Sequence, residues 1–330
     1  MVIPARDEAG SIARVVECWE AQHYDGPLRV FLVDDHSSDG TAEIAQRAIG
    51  ESARFQLLRA PEKAAGWTGK LWAVSRGVEA AGEFAPDYIL FTDADIVHSP
   101  ETLRALLAHA QKGGYDMVSL MVRLNCSTLA ERALIPAFVF FFFLLYPPRS
   151  IADPRSKVTG AAGGCMLVRR AVLERAGGIE TIHGALIDDC ALAAAIKGAG
   201  GRVFLAPAES SESLRVYQTF GEIGRMISRT AFTQLRYSPL LFIGTLSGLL
   251  VTYLLPVGLA VFAHGVPRVV GLGTWLAMSG AYVPTVRYYR ISLLWSLTLP
   301  AIALFYAGAT VHSAIRYWQG RGGEWKGRTL

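Results

Sequence analysis

The sequence predicts an α/β domain with a mostly parallel sheet and helices on both faces, followed by transmembrane helices toward the C-terminus. Strand and helix patterns alternate through the first 100 residues of the 330-residue chain, and this alternation is typical of parallel sheets. Beyond Leu240 the chain carries long apolar segments without charge. Segments of that length and composition are typical of membrane helices.

The elements of the first domain can be assigned in order. "MVIP" is an opening strand, and its brevity predicts that the chain starts inside a longer natural sequence. "LRVFLVDD" is the second strand, "SSDGTAEIAQRAIG" a capped helix ending at Gly50, and "RFQLLRA" the third strand. "WTGKLWAVSRGVEAAG" is the next helix and "DYILFTDAD" the fourth strand. Such sheets bind ligands at the carboxyl ends of their strands.

The apolar residues concentrate in the second half of the chain. Hydrophobic residues make up 52% of the sequence and charged residues only 18%. Three nearly uncharged segments, 240–263, 269–286 and 291–311, are candidates for membrane helices. The run 133–148 ("ALIPAFVFFFFLLYPP") is too short to span comfortably, so an interfacial or a core helix fits better. The predicted division is a cytosolic domain at 1–236, a membrane region at 237–315 and a basic tail at 316–330.

Basic residues flank the membrane region on both sides. Arg225, Arg229 and Arg236 precede it, and the tail 316–330 is basic as well. Basic flanks favour the cytoplasmic leaflet, so we expect a multi-pass inner-membrane protein with its first domain in the cytoplasm. Two cytoplasmic flanks conflict with three crossings. Either one segment is re-entrant, with Pro256 pointing to the first, or the tail lies outside.

Three of the predicted strands end in polar, acid-rich loops. These are "PARDE", "DDHSSDG" and "DAD". Each has a purely structural alternative: Asp34 or Asp39 could cap a helix, and Arg6–Glu8 could form a solvated turn. Together they would place uncompensated negative charge on one edge of the sheet, which favours a bound cation or a hydrogen-bonding ligand.

Asp93 and Asp95 are the predicted metal-binding pair. Carboxylate oxygens suit a hard divalent ion, Mg²⁺ or Mn²⁺, and an ion held by one or two carboxylates keeps positions open for phosphate oxygens. Such an ion can neutralise a diphosphate leaving group. The four cysteines lack zinc or disulfide spacing, so they are interpreted as reduced thiols.

Several motifs together resemble the family 2 glycosyltransferases, which have the nucleotide-diphospho-sugar transferase (GT-A-like) fold. In order they are "VIPARDE", "VDDHSSDGT", "TDADI", "GAAGGCMLVRR" and "IDDCALA", within residues 2 to about 236. The apolar C-terminal segments, "FVFFFFLLYPP" and "GGEWKGRTL" look most like a membrane-bound subgroup associated with hopanoid biosynthesis. Related enzymes act on ceramide, carotenoid and polyprenyl-phosphate acceptors.

The resemblance implies a role for each matching residue. Asp189 aligns with the catalytic base, beside Asp188, which replaces the usual glutamate. The metal ligands would be Asp93 and Asp95. The acceptor side would be shaped by Gly163, Gly164 and Cys165. The donor would be bound by Pro4, Arg6, Glu8, Asp34, Asp35 and Asp93.

Some assignments leave a structural alternative open. Asp188 and Asp189 could be first-turn acids that favour the helix dipole. Lys63 or Lys70 could lie near phosphate in a loop over the donor, or simply belong to a helix start. The processive Gln-x-x-Arg-Trp motif is reduced to Arg229 in "MISRT". Arg229 could contact the diphosphate or be a solvated basic residue, and the loss of the motif indicates one sugar per acceptor.

The expected function is inverting, metal-dependent transfer of one sugar from a nucleotide donor, a UDP-sugar, to a hydroxyl of a membrane lipid such as a hopanoid. The expected partners are the donor, the lipid and the membrane, with no nucleic acid. Two alternatives stay open: a polyprenyl-phosphate glycosyltransferase, and a non-catalytic membrane scaffold that only binds sugar nucleotides. A transporter is disfavoured because the apolar segments are nearly free of ionisable groups.

Overall fold

The computed structural model describes residues 1–320 and divides the chain into two compact units. The first unit comprises Met1–Leu124 and Tyr146–Arg215. The second comprises Asn125–Leu145 and the described part of Val216–Gly323. Most of the predicted basic tail 316–330 lies outside the described residues.

One eight-stranded sheet forms the centre of the first unit, in the order β3-β2-β1-β4-β7-β6-β8-β5. Neighbouring strands are parallel from β3 to β4. β7 runs antiparallel to both of its neighbours, β4 and β6. The predicted fold class is confirmed, with a sheet that is mixed. The strands are β1 (Val2–Ala5), β2 (Val30–Asp34), β3 (Phe55–Arg59), β4 (Tyr88–Thr92), β5 (Ile96–His98), β6 (Met117–Arg123), β7 (Cys165–Arg169) and β8 (Val203–Ser213).

Helices cover both faces of this sheet because successive strand side chains point in opposite directions. In β1, Ile3 belongs to the core cluster that also contains Trp19 of α1. Val2 faces the other way, toward Gly77 of α3, where an added Cβ would lie 2.4 Å from Val2. The helices of this unit are α1 (Ile12–Glu20), α2 (Thr41–Ile49), α3 (Gly69–Gly82), α4 (Thr102–Gly113), α6 (Pro148–Ala152), α7 (Arg170–Arg175) and α8 (Asp188–Gly198), with a 3₁₀ turn at Ile179–Ile182.

The second unit is helical. Its helices are α5 (Leu129–Leu145), α9 (Phe220–Ser228), α10 (Ala231–Gln234), α11 (Pro239–Leu249), α12 (Leu255–Phe262), α13 (Val266–Tyr288) and α14 (Leu299–Trp318). A π-helical turn, Leu250–Leu254, joins α11 to α12, and a 3₁₀ segment, Leu293–Thr298, precedes α14. The helical run therefore continues through Pro256, and a π turn next to proline is a usual way to accommodate it.

Four helical stretches among residues 1–320 are long and apolar enough to cross a membrane: Leu129–Ala152, Pro239–Phe262, Val266–Tyr288 and Leu293–Trp318. The first contains the run 133–148 and is inserted between two strands of the sheet. It follows β6 and precedes β7, and these two strands are hydrogen-bonded neighbours in one sheet. Because both ends of Leu129–Ala152 lead into the same sheet, a single crossing by this helix would place one sheet on two sides of a membrane.

A buried carboxylate fixes the start of α5. The Glu131 side chain has 0% exposure. Its Oε2 accepts hydrogen bonds from the backbone N–H groups of Ser127 and Thr128 at 2.9 and 3.0 Å, and its Oε1 accepts one from the N–H of Tyr217 at 2.7 Å. A carboxylate that satisfies these N–H groups stabilises the N-terminus of the helix.

Candidate active site

The loops after β1 and β2 are hydrogen-bonded to each other at the carboxyl edge of the sheet. The N–H of Asp7 donates to Ser37 Oγ at 3.0 Å, and the N–H of Ser38 donates to Asp7 Oδ1 at 2.8 Å. Asp7 and His36 both have positive φ, at 50° and 57°. Such angles are uncommon outside glycine, and they show how tightly these two loops turn.

The predicted nucleotide-pocket residues lie in these loops. Arg6 donates through Nη1 to the backbone oxygen of Asp35, and the same nitrogen lies 3.7 Å from Asp35 Oδ2. The Asp35 side chain has 0% exposure. Both carboxylate oxygens of Asp34 accept from the N–H of Ser37 at 3.3 and 3.4 Å. Asp39 Oδ1 accepts from the backbone N–H and the hydroxyl of Thr41, the first residue of α2, whereas the N-cap position itself is Gly40.

Lys70 joins the two aspartate motifs of the sequence. Thr68 caps α3 by accepting from the N–H of Leu71, which places Lys70 in the first turn. The Lys70 Nζ lies 2.9 Å from Asp93 Oδ1 and 3.0 Å from Asp188 Oδ2. Residues 93 and 188 are therefore brought to one ammonium group from opposite parts of the chain.

The charges in this cluster shift the pKa values of Lys70 and Asp93. Burial acts to lower the pKa of Lys70, but the carboxylates of Asp188 and Asp93 outweigh it and raise the pKa, so the ammonium stays charged. Burial raises the pKa of Asp93, with Lys70 opposing and Asp95 adding to the rise. Lys70 therefore holds the carboxylates of Asp93 and Asp188, while the charge of Asp95 acts against the ionised form of Asp93.

Asp189 is held by backbone groups beside this cluster. Its Oδ2 accepts from the N–H of Gly163 at 2.9 Å, and its Oδ1 accepts from the N–H of Cys190 at 2.7 Å. Burial, followed by the charge of Asp188, raises the pKa of Asp189 to about 6. A Cβ added at Gly163 would lie 3.4 Å from both Asp189 Oδ2 and Lys70 Nζ. The group is a fixed carboxylate with a proton affinity well above that of an ordinary aspartate.

Arg215 is a site residue that sequence reasoning missed. It follows β8, and its Nε donates to Asp95 Oδ2 at 2.7 Å while its Nη2 donates to Glu8 Oε1 at 2.9 Å. An open cleft of about 530 Å³ is lined by Glu8, Asp95, Arg215 and their neighbours. The signal in the sequence is an arginine two residues after a strand with a polar end, and this does not identify Asp95 or Glu8 as its partners.

A buried histidine, His98, is hydrogen-bonded next to the turn that carries Asp93 and Asp95. It was not identified from the sequence. His98 Nε2 lies 2.9 Å from Thr92 Oγ1, and its Nδ1 lies 2.8 Å from Ser211 Oγ. Thr92 Oγ1 in turn donates to the backbone oxygen of Gly164 at 2.8 Å. Burial lowers the pKa of His98 to about 3, so the ring is neutral. This chain of hydrogen bonds connects the residue before Asp93 to the loop that holds Asp189.

The remaining predicted residues divide into three groups. One small cavity is lined by five of them: Pro4, Lys70, Asp93, Gly163 and Asp188. The prediction that Cys165 shapes the acceptor side is wrong. Cys165 is the first residue of β7, its side chain has 0% exposure, and it packs in the core. Its side chain faces the core because strand residues alternate in direction. Gly164 contributes its carbonyl to Thr92, and Arg229 is an exposed residue of the second unit, at the end of α9.

The carboxylate oxygens of the cluster suit a divalent cation as ligands. Five carboxylates (Glu8, Asp93, Asp95, Asp188 and Asp189) face two cations, Lys70 and Arg215. This leaves excess negative charge. In the described part of the chain, no three His, Cys, Asp or Glu side chains form a metal site on their own. An ion held by Asp93 and Asp95 would thus take its other ligands from water or a bound diphosphate, which is the usual coordination of Mg²⁺.

The fold and the acidic turn at its carboxyl edge define a GT-A-like glycosyltransferase architecture. A mannosyltransferase from Pyrobaculum calidifontis, solved with GDP-Man and Mn²⁺, superposes with a TM-score of 0.57 at 17% identity, covering 94% of this chain and 85% of that one. The sequence model described as "Glycosyl transferase family 2" matches residues 1–177. The chain belongs to this family.

Two curated relatives are similar over about half of this chain. An undecaprenyl-phosphate 4-deoxy-4-formamido-L-arabinose transferase from Pseudomonas savastanoi pv. phaseolicola is 30% identical over 181 residues, 53% of this chain and 48% of the relative. An N-acetylglucosaminyltransferase from Rhizobium leguminosarum bv. viciae is 28% identical over 154 residues, 46% of this chain and 34% of the relative. The chain thus aligns with half or less of the length of each.

Proposed function

We propose that this protein is an inverting glycosyltransferase that moves one sugar from a nucleotide-diphosphate donor, a UDP-sugar, to a hydroxyl of a membrane lipid. The observation that carries the proposal is the contact of Lys70 with both Asp93 and Asp188. It brings the turn that carries Asp93 close to Asp188, the neighbour of the candidate base Asp189. A single displacement needs the base and the metal-binding carboxylates to be different groups that lie near the same sugar.

The proposed reaction uses each group for one task. The acceptor oxygen attacks the anomeric carbon, the bond from that carbon to the diphosphate oxygen breaks, and the acceptor proton passes to Asp189. The hydrogen bonds from Gly163 and Cys190 keep the Asp189 carboxylate oriented for this transfer. A pKa near 6 makes it a better base than an ordinary aspartate.

Asp93 and Asp95 are the proposed ligands of the divalent ion, Mg²⁺ or Mn²⁺. Bound there, the ion would neutralise the charge that develops on the departing diphosphate. Lys70 and Arg215 add positive charge on the same side of the reaction. Pro4, Arg6, Glu8, Asp34 and Asp35 are the proposed nucleotide contacts. Gly163 and Gly164 are proposed to shape the acceptor side.

Two classes of lipid acceptor are proposed, in order of preference. A hopanoid or another polycyclic lipid alcohol is the first candidate, in line with the subgroup that the sequence resembles. A polyprenyl phosphate is the second, because one curated relative is named as an undecaprenyl-phosphate transferase. The two differ in chemistry, since a phosphate acceptor is already an anion and needs no strong base.

The membrane helices are proposed to hold the site next to its lipid. We propose an inner-membrane protein with its sheet domain in the cytoplasm, and with 129–152 as a helix that does not complete a crossing. Both ends of that stretch lead into one sheet, which supports this placement. The domain boundaries 1–236, 237–315 and 316–330 remain part of the proposal.

A donor screen tests the proposal. Purified full-length protein in detergent is heated with UDP-, GDP- and dTDP-sugars, with and without EDTA, and unfolding is followed. One class of donor, expected to be UDP-sugars, raises the midpoint only while divalent metal is present. A non-catalytic scaffold would show such a shift without releasing nucleotide diphosphate. If no sugar nucleotide binds, both readings fail.

A further inference from the structure

We propose that Lys70 makes metal binding at the Asp93–Asp95 turn conditional on the sugar nucleotide. Its ammonium pairs with Asp93, and we propose that it leaves that carboxylate when a diphosphate provides another anionic partner. The inference rests on the proposed function and adds an order of events to it. Lys70 would then contact the sugar nucleotide and also make metal affinity depend on the presence of that nucleotide.

The geometry puts Lys70 in competition with any ion at Asp93. The ammonium lies 2.9 Å from Asp93 Oδ1, a hydrogen-bonding distance, and it bridges to Asp188 Oδ2 at 3.0 Å. A divalent ion that binds the same carboxylate meets a positive charge only a few ångströms away. In a site where the Lys70 side chain is only 20% exposed, water screens this repulsion weakly.

Displacing Lys70 without a replacement partner is unfavourable for a second reason. Removal of the ammonium leaves Asp188 without the salt bridge it makes here, close to Asp189. Separating one partner from a largely buried ion pair is costly because the other charge is stranded. A diphosphate changes this balance, since it gives the ammonium two new anionic oxygens and gives the ion the rest of its ligands.

The other cation of the site is held differently. Arg215 bridges Asp95 and Glu8 with two separate nitrogens, at 2.7 and 2.9 Å. A planar guanidinium fixed by two carboxylates keeps its position, whereas an ammonium on a flexible four-carbon stem can move between partners. Lys112 is an exposed residue in the last turn of α4 and is a control for the loss of a lysine outside the site.

The test is Mn²⁺ binding, followed by the electron paramagnetic resonance signal of free Mn²⁺, on full-length protein with and without UDP. We expect the wild type to bind Mn²⁺ at least about tenfold more tightly with UDP than without it. Lys70→Met should bind Mn²⁺ alone about tenfold more tightly than the wild type and gain little from UDP. Lys112→Met should match the wild type in both conditions.

Each contrary outcome has a distinct meaning. If UDP binds by calorimetry but wild-type Mn²⁺ affinity is the same with and without it, the coupling is overturned and the transferase proposal stands. Equal Mn²⁺ affinity of wild type and Lys70→Met in the absence of UDP overturns it as well. If neither UDP nor GDP binds in the presence of Mn²⁺, the proposed function and this inference fail together. Because the diphosphate ligands alone would tighten Mn²⁺ binding in the wild type, Lys70→Gln, which removes the charge and can still hydrogen-bond Asp93, is the second variant where Lys70→Met does not fold.

Discussion

The guanidinium of Arg215 donates to the carboxylate of Asp95 at 2.7 Å, across 120 positions of sequence. The same side chain reaches Glu8, so it ties the loop after β1 to the turn after β4. The link has a simple structural origin: β5 pairs with β8, and the N–H of Leu214 donates to the backbone oxygen of Asp95 at 2.7 Å. Arg215 thus orients Asp95 from a strand that comes late in the chain.

Replacement of Arg215 should weaken donor binding. In Arg215→Met, Asp95 and Glu8 lose a shared cation, and we expect sugar-nucleotide affinity to fall about tenfold or more, since charged hydrogen bonds contribute about 1.5–3 kcal/mol. Titration calorimetry with UDP and Mn²⁺ measures this. Arg123→Met is the control, because Arg123 pairs with Glu212 at the edge of the same strands. Equal losses in both variants would show a general effect on β8.

Replacement of Asp189 should separate the two acceptor chemistries. With a hydroxyl acceptor, Asp189→Asn should lower kcat by about 100-fold or more, because the side chain can no longer take the proton. Donor affinity should stay within about twofold, since Asp189 is proposed to act on the acceptor. Transfer to lipid, measured with labelled donor, is the assay. A loss of less than tenfold would favour a polyprenyl-phosphate acceptor.

The pH dependence of transfer should follow the ionisation of Asp189. With a pKa of about 6, the group is protonated in more acidic solution, so the rate should fall about tenfold per pH unit below that value. The sign for stability is the reverse. Because the pKa is raised in the folded protein, the stabilising contribution of the protonated form is complete below the ordinary value of 3.8 and is lost as pH rises through about 6.

The measurement is initial rates and unfolding midpoints from about pH 4.5 to 8, for wild type and Asp189→Asn. The residual rate of the variant should lack the acidic limb, and its midpoint should fall less than that of the wild type as pH rises. An identical acidic limb in both proteins would assign the ionisation to another group.

Two adjacent glycines should behave differently when replaced by alanine. In Gly163→Ala the new Cβ would lie 3.4 Å from Asp189 Oδ2 and Lys70 Nζ, so we expect a lower kcat with little change in the unfolding midpoint. In Gly164→Ala it would lie 2.8 Å from Val122 Cγ2, which costs about 1–3 kcal/mol of stability. Rates and midpoints of both variants test this. The opposite pattern would place the reacting groups away from Gly163.

Much of the fold was accessible from local sequence patterns, and the site only in part. β1 to β4, with α2 and α3, follow from apolar runs and helix caps, and the acid-rich ends of β1, β2 and β4 follow from their residue types. No helix was predicted over Ile12–Glu20, where the structure has α1. The antiparallel insertion of β7 beside β4 was not accessible, since it depends on long-range pairing. For the same reason the partners Arg215 and His98 could not be named. Cys165 was misplaced because a loop and a strand start look alike in "GGCMLV".

The most direct test of the central claim is the anomeric configuration of the lipid product. Lys70 joins Asp93, in the proposed metal-binding turn, to Asp188 beside the proposed base Asp189, and this arrangement predicts a single displacement. An α-linked sugar nucleotide should therefore yield a β-linked glycolipid, readable by NMR from the coupling between H1 and H2 of a glucose-type sugar. An α-linked product would contradict the account, because retention requires a different arrangement of groups.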